Sequence, residues 1–298
     1  MKRTHLWKIL ELIAVLGVLL TGCVNRPNPL TQPNSRNSSS LVSEQSNNSA
    51  LNPRDSGQST NLSSTATNDY GGITQTQIDE LATKNFQSGQ SAIIQVNNGR
   101  STLNPNSWHS NKVIYSALDK LNRTSSPNTG FLEEHNRANE ELRVRQTVDP
   151  TAWHNNHGRG QIYNRGHMIA YSISAGINQD GNYDPNSTSG DQNNPKNLFT
   201  QTAFSNQKLQ TIYEAKVRKA IENDHKVIYQ VTPIFRGNEL MARGVNLQAV
   251  STDRSLDFNV YIFNVQPGYS FDYSNGNAIV DSEMRVPTPP SSPVFNNE

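Results

Sequence analysis

The sequence predicts an α+β fold, and three features carry that prediction. One long stretch, Ser205 to Asp224, places Leu209, Ile212, Tyr213, Val217, Ala220 and Ile221 at three- and four-residue steps, the period of a helix with one buried face. Two stretches after it, Lys226 to Phe235 and Leu256 to Val265, alternate apolar with other side chains, as in Val227, Tyr229 and Val231, the period of a strand. No internal repeat accompanies them, so helix and strands belong to one layered domain. Upstream, Thr74 to Ala82 has helical spacing with Ile78 and Leu81 on one side. Ala92 to Val96 and Val113 to Ala117 are short β-branched runs that read as strands.

Composition limits what else the chain contains. Of 298 residues 33% are hydrophobic, which leaves core for one mid-sized domain with the remainder solvated. A single cysteine excludes an intrachain disulfide scaffold. The only long apolar run, Ile9 to Leu20, is too short for a multi-pass membrane protein. Lys2, Arg3 and Lys8 precede that run and Leu20-Thr21-Gly22-Cys23 ends it, which is signal-peptide architecture. The ending resembles the lipobox of bacterial lipoproteins, in which the cysteine is lipidated. That resemblance implies residues 1–22 as a lipoprotein signal peptide, lipidation at Cys23 and attachment to the extracellular face of a bacterial cell membrane. Without use of the lipobox the protein is secreted.

From residue 23 to 69 the chain is dominated by Asn, Ser, Thr, Gln and Pro, too polar to offset chain entropy by burial. It reads as a disordered tether, and 286–298, with Pro287-Thr288-Pro289-Pro290, as a short disordered tail. The folded domain is therefore expected over 70–285. Removing residues 1–22 leaves 23 basic against 24 acidic side chains, so a general basic coat is excluded while a local basic groove is not.

The chemistry concentrates between Trp153 and Arg218. Tyr163-Asn164-Arg165-Gly166-His167 puts an imidazole behind a glycine in a stretch with few apolar neighbours. Asn194-Pro195-Lys196-Asn197 and Gln201-Thr202-Ala203-Phe204-Ser205-Asn206 bring amides to the start of the long helix, where Asn206 also fits a helix cap. Glu214 and Arg218 lie i, i+4 on that helix, a spacing common in surface ion pairs, and Glu214 is two turns beyond Asn206.

As an ordered series these residues resemble the DNA/RNA non-specific endonuclease family, the sugar-nonspecific nucleases with a ββα-metal (His-Me) finger, most closely its streptococcal DNA-entry type. Asn164-Arg165-Gly166-His167 matches the signature Asp-Arg-Gly-His, with Asn164 in place of the Asp. Asn197, Asn206 and Glu214-Ala-Lys-Val-Arg218 match the downstream partners. The likeness continues through Val231-Thr232-Pro233-Ile234-Phe235, Ala242-Arg243-Gly244-Val245 and Asp257-Phe258-Asn259-Val260. It implies an α+β ββα-metal finger nuclease domain with a central, mostly antiparallel sheet flanked by helices. It also implies a divalent ion, Mg²⁺ with Mn²⁺ as substitute, and cleavage of DNA and RNA to 5′-phosphate ends.

The same resemblance assigns roles that chemistry supports. His167 is the general base, the side chain with a pKa suited to activating water. Asn206 is the metal ligand, suited to an ion that prefers oxygen and retains water. Glu214 orders water around the ion, and Arg218 orients Glu214 and contacts phosphate. Asn197 fixes the finger or a phosphate, and Arg165 is either structural or phosphate-binding. Between residues 196 and 226 the side chains carry a local +3, with Lys196, Lys208 and Lys216 as candidate nucleic-acid contacts, joined by Arg143 and Arg145 upstream. No protein partner is inferable. Two other readings stand beside this one: a catalytically silent DNA-binding surface lipoprotein, suggested by Asn164, and a zinc site built from His154, His157 and His167.

Overall fold

The computed structural model describes residues 69–138, 141, 143–157 and 160–294. The signal peptide, Cys23 and nearly all of the tether lie outside the described residues. Among those described, no helix is long and apolar enough to cross a membrane.

The first element is helix α1, Gln75–Ala82, on the predicted segment. Thr74 starts it as a capping box, its side chain accepting from Gln77 N while the Gln77 side chain accepts from Thr74 N. Ten strands follow in chain order: β1 Ile93–Gln95, β2 Lys112–Ile114, β3 Asn128–Leu132, β4 Tyr163–His167, β5 Leu198–Thr202, β6 Val227–Ile234, β7 Gly244–Ser251, β8 Asp257–Phe263, β9 Tyr269–Asp272 and β10 Asn277–Val280. Six of them form one sheet in the order β1-β8-β7-β6-β3-β2, every neighbouring pair antiparallel. β4 and β5 pair separately, and β9 with β10 makes a hairpin.

Both faces of the large sheet are covered. On one face Tyr229 and Val231 of β6 and Leu247 and Ala249 of β7 pack in the main core with Leu209, Val217 and Ile221 of the long helical segment. On the other, Ile228 and Val250 join Leu103 and Phe131 beneath Tyr70 and Trp108. There Gln230 and Gln248 are buried side by side. Gln248 Nε2 donates to Gln230 Oε1 at 3.1 Å and Gln230 Nε2 to Thr129 Oγ1 at 2.9 Å, while Gln248 Oε1 accepts from Thr102 N at 2.9 Å, so each amide is satisfied.

The structure departs from the sequence expectations in four places. Strand β3 was not predicted, because Asn128-Thr129-Gly130 has no apolar alternation; it is held between β2 and β6 by polar side chains that find individual partners. The strands β4, β5, β7, β9 and β10 are likewise not located by the sequence pattern. The expected helix Ser205 to Asp224 divides into a π-helical turn, Ser205–Gln210, and helix α2, Thr211–Glu222. Finally, the segment expected to be a tail begins with Val286 buried in the main core and continues along the helix, where Ser292 Oγ donates to Lys208 O at 2.7 Å.

Candidate active site

The two-stranded unit and the helix behind it bring the predicted residues together. β4 and β5 pair with His167 opposite Leu198, Arg165 opposite Thr200 and Asn164 opposite Gln201. Residues 202–205 turn directly into the π-helical segment. The cap is Thr202, whose Oγ1 accepts from Ser205 N at 3.1 Å, so Asn206 sits inside the helical segment and is not its cap. The result is a strand-strand-helix arrangement with His167 and Asn164 on a strand and Asn206 and Glu214 on the facing helix.

Gly166 is required by close approach. A Cβ there would lie 2.2 Å from Gln201 Oε1 and 2.8 Å from Gln201 Cβ, so only glycine lets the Gln201 side chain cross β4 toward the helix.

That crossing begins a chain of amides whose orientations follow from one another. Gln210 Nε2 donates to His167 O at 2.9 Å and to Glu214 Oε1 at 2.7 Å. The His167 carbonyl accepts only, so the Gln210 nitrogen must face it and its Oε1 must face away. There it accepts from Gln201 Nε2 at 3.0 Å, which leaves Gln201 Oε1 to accept from Asn206 Nδ2 at 2.9 Å. Asn206 Oδ1 is thereby turned toward Asn164, whose Nδ2 donates to it at 3.0 Å. Asn164 Oδ1, at the end of the chain, is buried with no hydrogen-bond partner. Gln201 and Gln210 are fully buried, and neither was singled out from the sequence, where two glutamines beside a helix carry no periodic or motif signal.

The tautomer of His167 follows from the same reasoning. Its Nε2 lies 3.0 Å from Gln192 O, an acceptor, so Nε2 carries the proton and Nδ1 keeps the lone pair. Burial, opposed by that hydrogen bond and assisted by the charge of Arg143, brings the imidazole down to about 4. The ring is therefore neutral near pH 7. Burial pushes Glu214 up to about 7, against the Gln210 hydrogen bond and the charge of Arg218. Arg218, exposed and one turn on, thus favours the ionised carboxylate.

Other predicted residues are placed differently. Asn197 is buried away from the cleft, with Oδ1 accepting from Ile169 N at 2.8 Å and Nδ2 donating to Ile169 O at 2.9 Å. It clamps the backbone two residues beyond His167. Arg165 is held by structural partners: Nε donates to Val148 O at 2.7 Å, its guanidinium pairs with Asp149 at 2.6 Å, and it stacks 4.1 Å from the Trp153 ring centre. It braces the loop whose Gln146 donates to Arg165 O at 3.2 Å. Lys208 Nζ donates to Pro293 O at 2.8 Å, which turns it toward the C-terminal segment. Lys216 lies 4.8 Å from the Tyr213 ring centre. Arg143, Arg145 and Lys196 are exposed.

The donor set decides which ions fit. Among the described residues no group of three or more His, Cys, Asp or Glu side chains is placed to hold a metal, and His154 Nε2 is instead 2.9 Å from Asn275 O. A zinc site of His154, His157 and His167 is not assembled. What the helix and strand offer is oxygen: the oriented Oδ1 of Asn206, the orphaned Oδ1 of Asn164 and the Glu214 carboxylate. Few protein oxygens and space for water suit a hard divalent ion.

Comparison with known proteins agrees with this architecture. The sequence profile described as DNA/RNA non-specific endonuclease matches residues 104–253. A curated relative, a deoxyribonuclease of Streptococcus dysgalactiae subsp. equisimilis, is 33% identical over 61 residues, 20% of this chain and 19% of the relative, so the match spans about a fifth of that protein. The crystal structure of NucA from Streptococcus agalactiae with a magnesium ion bound superposes with a TM-score of 0.55 and 28% identity, covering 70% of this chain and 99% of NucA. The same protein with no metal bound gives a TM-score of 0.53 over 70% of this chain and 98% of NucA.

Proposed function

The chain belongs to the DNA/RNA non-specific endonuclease family, and we propose that it is a Mg²⁺-dependent endonuclease that hydrolyses phosphodiester bonds of DNA and RNA and leaves 5′-phosphate ends. The observation that carries this reading is the neutral His167, with Nε2 tied to Gln192 O and an unprotonated Nδ1 that has Gln146 Nε2 at 3.5 Å, facing a helix that presents Asn206 and Glu214.

The residues divide the work as follows. His167 Nδ1 accepts a proton from water as the water attacks phosphorus, and the Gln192 carbonyl stabilises the imidazolium that results. Asn206 Oδ1 would hold the divalent ion, its direction set through Gln201 and Gln210. When bound, the ion supplies positive charge where the phosphate and the leaving oxygen gain negative charge. Glu214 would accept hydrogen bonds from water beside Asn206, and Arg218, which opposes the effect of burial on that carboxyl, would also contact phosphate. Mn²⁺ substitutes, having the same preference for oxygen. Exposed Arg143, Arg145 and Lys196 supply sequence-independent contacts to the backbone, consistent with little base preference.

Placement outside the cytoplasm rests on the N-terminal segment. Lys2, Arg3 and Lys8 before an apolar run that ends at Cys23 support export and a lipid anchor at that cysteine. Labelling of the expressed protein with palmitate, lost in Cys23→Ser, checks the anchor.

Cleavage of supercoiled plasmid tests the activity. Nicking and then smearing with Mg²⁺ is expected, with loss in EDTA and a fall of about 10²- to 10⁴-fold in His167→Ala, the range for a removed general base. Fragments that take label from polynucleotide kinase only after phosphatase treatment identify 5′-phosphate ends. A folded protein that retains DNA in EDTA and cleaves under no metal or pH condition sinks the reading in favour of a binding lipoprotein.

A further inference from the structure

We propose that Gln146 positions the attacking water: its Oε1 accepts one hydrogen of the water while His167 Nδ1 takes the other. The inference rests on the hydrolytic reading above and adds to it a residue that the reading leaves unused.

The geometry over the base comes first. Gln146 Nε2 lies 3.5 Å from His167 Nδ1 and 3.4 Å from His167 Nε2. A nitrogen that close to both, and in the plane of the ring, would collide with the Cε1 that lies between them. The Gln146 amide therefore covers the face of the imidazole, and the in-plane lone pair of Nδ1 is directed past it. The same Gln146 Nε2 donates to Arg165 O at 3.2 Å. Because that carbonyl only accepts, the nitrogen must face it, and Oε1 is the end left to accept. The two ends of a carboxamide are about 2.2 Å apart, so Oε1 is at most about 5.7 Å from Nδ1, close enough for one water to donate to both.

The loop that carries Gln146 is held at each residue from 144 to 149. Val144 N donates to Gln192 Oε1 at 3.0 Å, Thr147 N donates to Asn193 Oδ1 at 2.8 Å, and Asn193 Nδ2 donates back to Arg145 O at 3.3 Å. The Arg165 side chain takes Val148 O and Asp149. An irregular, largely exposed loop ordinarily makes few such contacts. Here the supports are the ones that place the base: Gln192 O lies against His167 Nε2, and Arg165 is two residues before His167 on β4. Base and amide thus keep one fixed spacing, which a two-point grip on water requires.

In the reaction an oxygen lone pair of the held water forms the bond to phosphorus. One O–H proton passes to Nδ1, and the other O–H stays hydrogen-bonded to Oε1. The bond from phosphorus to the 3′ oxygen breaks with its electron pair on the leaving oxygen, which takes a proton from solvent. A neutral amide oxygen orients the water without competing for its proton.

Methanol is the probe, because its single O–H hydrogen cannot serve both acceptors. In a fixed water–methanol mixture with Mg²⁺, cleavage of DNA gives 5′-phosphate ends by hydrolysis and 5′-methyl-phosphate ends by methanolysis, and mass spectrometry reads their ratio. Gln146→Leu keeps bulk over the ring and loses both polar ends. It is expected to raise the methyl-ester share about 2- to 10-fold, the worth of one hydrogen bond. It is also expected to lower kcat about 10- to 100-fold with little change in KM. Gln146→Glu retains an acceptor and should keep the ratio close to that of the unmodified protein. The ratio is read from product, so it does not depend on how much of a variant folds. A Gln146→Leu ratio equal to that of the unmodified protein, or a Gln146→Glu ratio as high as that of Gln146→Leu, would overturn the proposal and leave the nuclease reading intact. No cleavage by the folded, unmodified protein with any metal would overturn that reading and the proposal with it.

Discussion

At the scale of single residues the site is governed by close approach and by protonation. Gly166 shows the first: Gly166→Ala places a methyl against Gln201, and the displaced side chain loses its hold on Asn206. A destabilisation of about 1–3 kcal/mol by chemical denaturation is expected, together with weaker Mn²⁺ binding. Glu214 and His167 show the second, with opposite signs. Glu214 titrates at about 7 in the folded chain, above an unfolded carboxyl, so the folded state holds the extra proton and stability from this group falls as pH rises toward and through 7. His167 titrates at about 4, below an unfolded imidazole, so stability from it is present above the unfolded value and is lost as pH falls toward 4. Glu214→Gln in EDTA should therefore melt higher than the unmodified protein at pH 8, by an amount on the order of 1–3 kcal/mol, with the advantage shrinking at pH 5. Equal differences at both pH values would show that Glu214 does not titrate in this window. A bound cation favours the Glu214 carboxylate, so the acid limb of the pH–rate profile should move to lower pH as Mg²⁺ is raised.

At the scale of elements the π-helical turn Ser205–Gln210 decides what the helix can do. Its wider turn lets Gln210 reach His167 O on the strand and Glu214 Oε1 on the helix at once, while Asn206 faces Asn164. Gln210→Leu preserves volume and helix propensity but removes the donor that both acceptors share. The expected outcome is a fall in kcat of about 10- to 100-fold with little change in KM, since the supporting contact is lost and the phosphate contacts remain. A parallel rise in KM alone would place Gln210 in substrate binding instead. From sequence, apolar spacing located this helix within two residues at its end and missed the change of pitch, because i+3 and i+4 apolar steps report which face is buried and not the pitch. Strand β3 was illegible for a related reason: Asn128 and Thr129 are buried through partners supplied by residues 116, 196 and 230.

At the scale of the whole molecule the boundaries and the surface charge carry the remaining predictions. Val286 is 8% exposed within the main core, so a fragment ending at 285 should be less stable than one ending at 294 by about 1–2 kcal/mol in urea. The longer fragment also keeps the contact of Lys208 with Pro293. Exposed Arg143, Arg145 and Lys196 should each contribute to the salt dependence of DNA binding measured in EDTA. Replacing any one by Ala is expected to lower the slope of log K against log salt by about 0.9, and Lys208→Ala in the longer fragment by less.

Alone, the sequence determined the family and the α+β class, and it set His167, Asn206 and Glu214 in one ordered series. These are local properties: residue type, order, spacing and composition. Tertiary structure decided the rest. It assigned Arg165 to Asp149 and Trp153, Asn197 to the backbone of Ile169 and Lys208 to the C-terminal segment, and it brought Gln201 and Gln210 between His167 and Asn206. The reason is that a polar side chain's role depends on the partner it meets. Partners here come from strands and loops tens of residues apart, and the direction of each amide is set only when the next acceptor in the chain of contacts is in place.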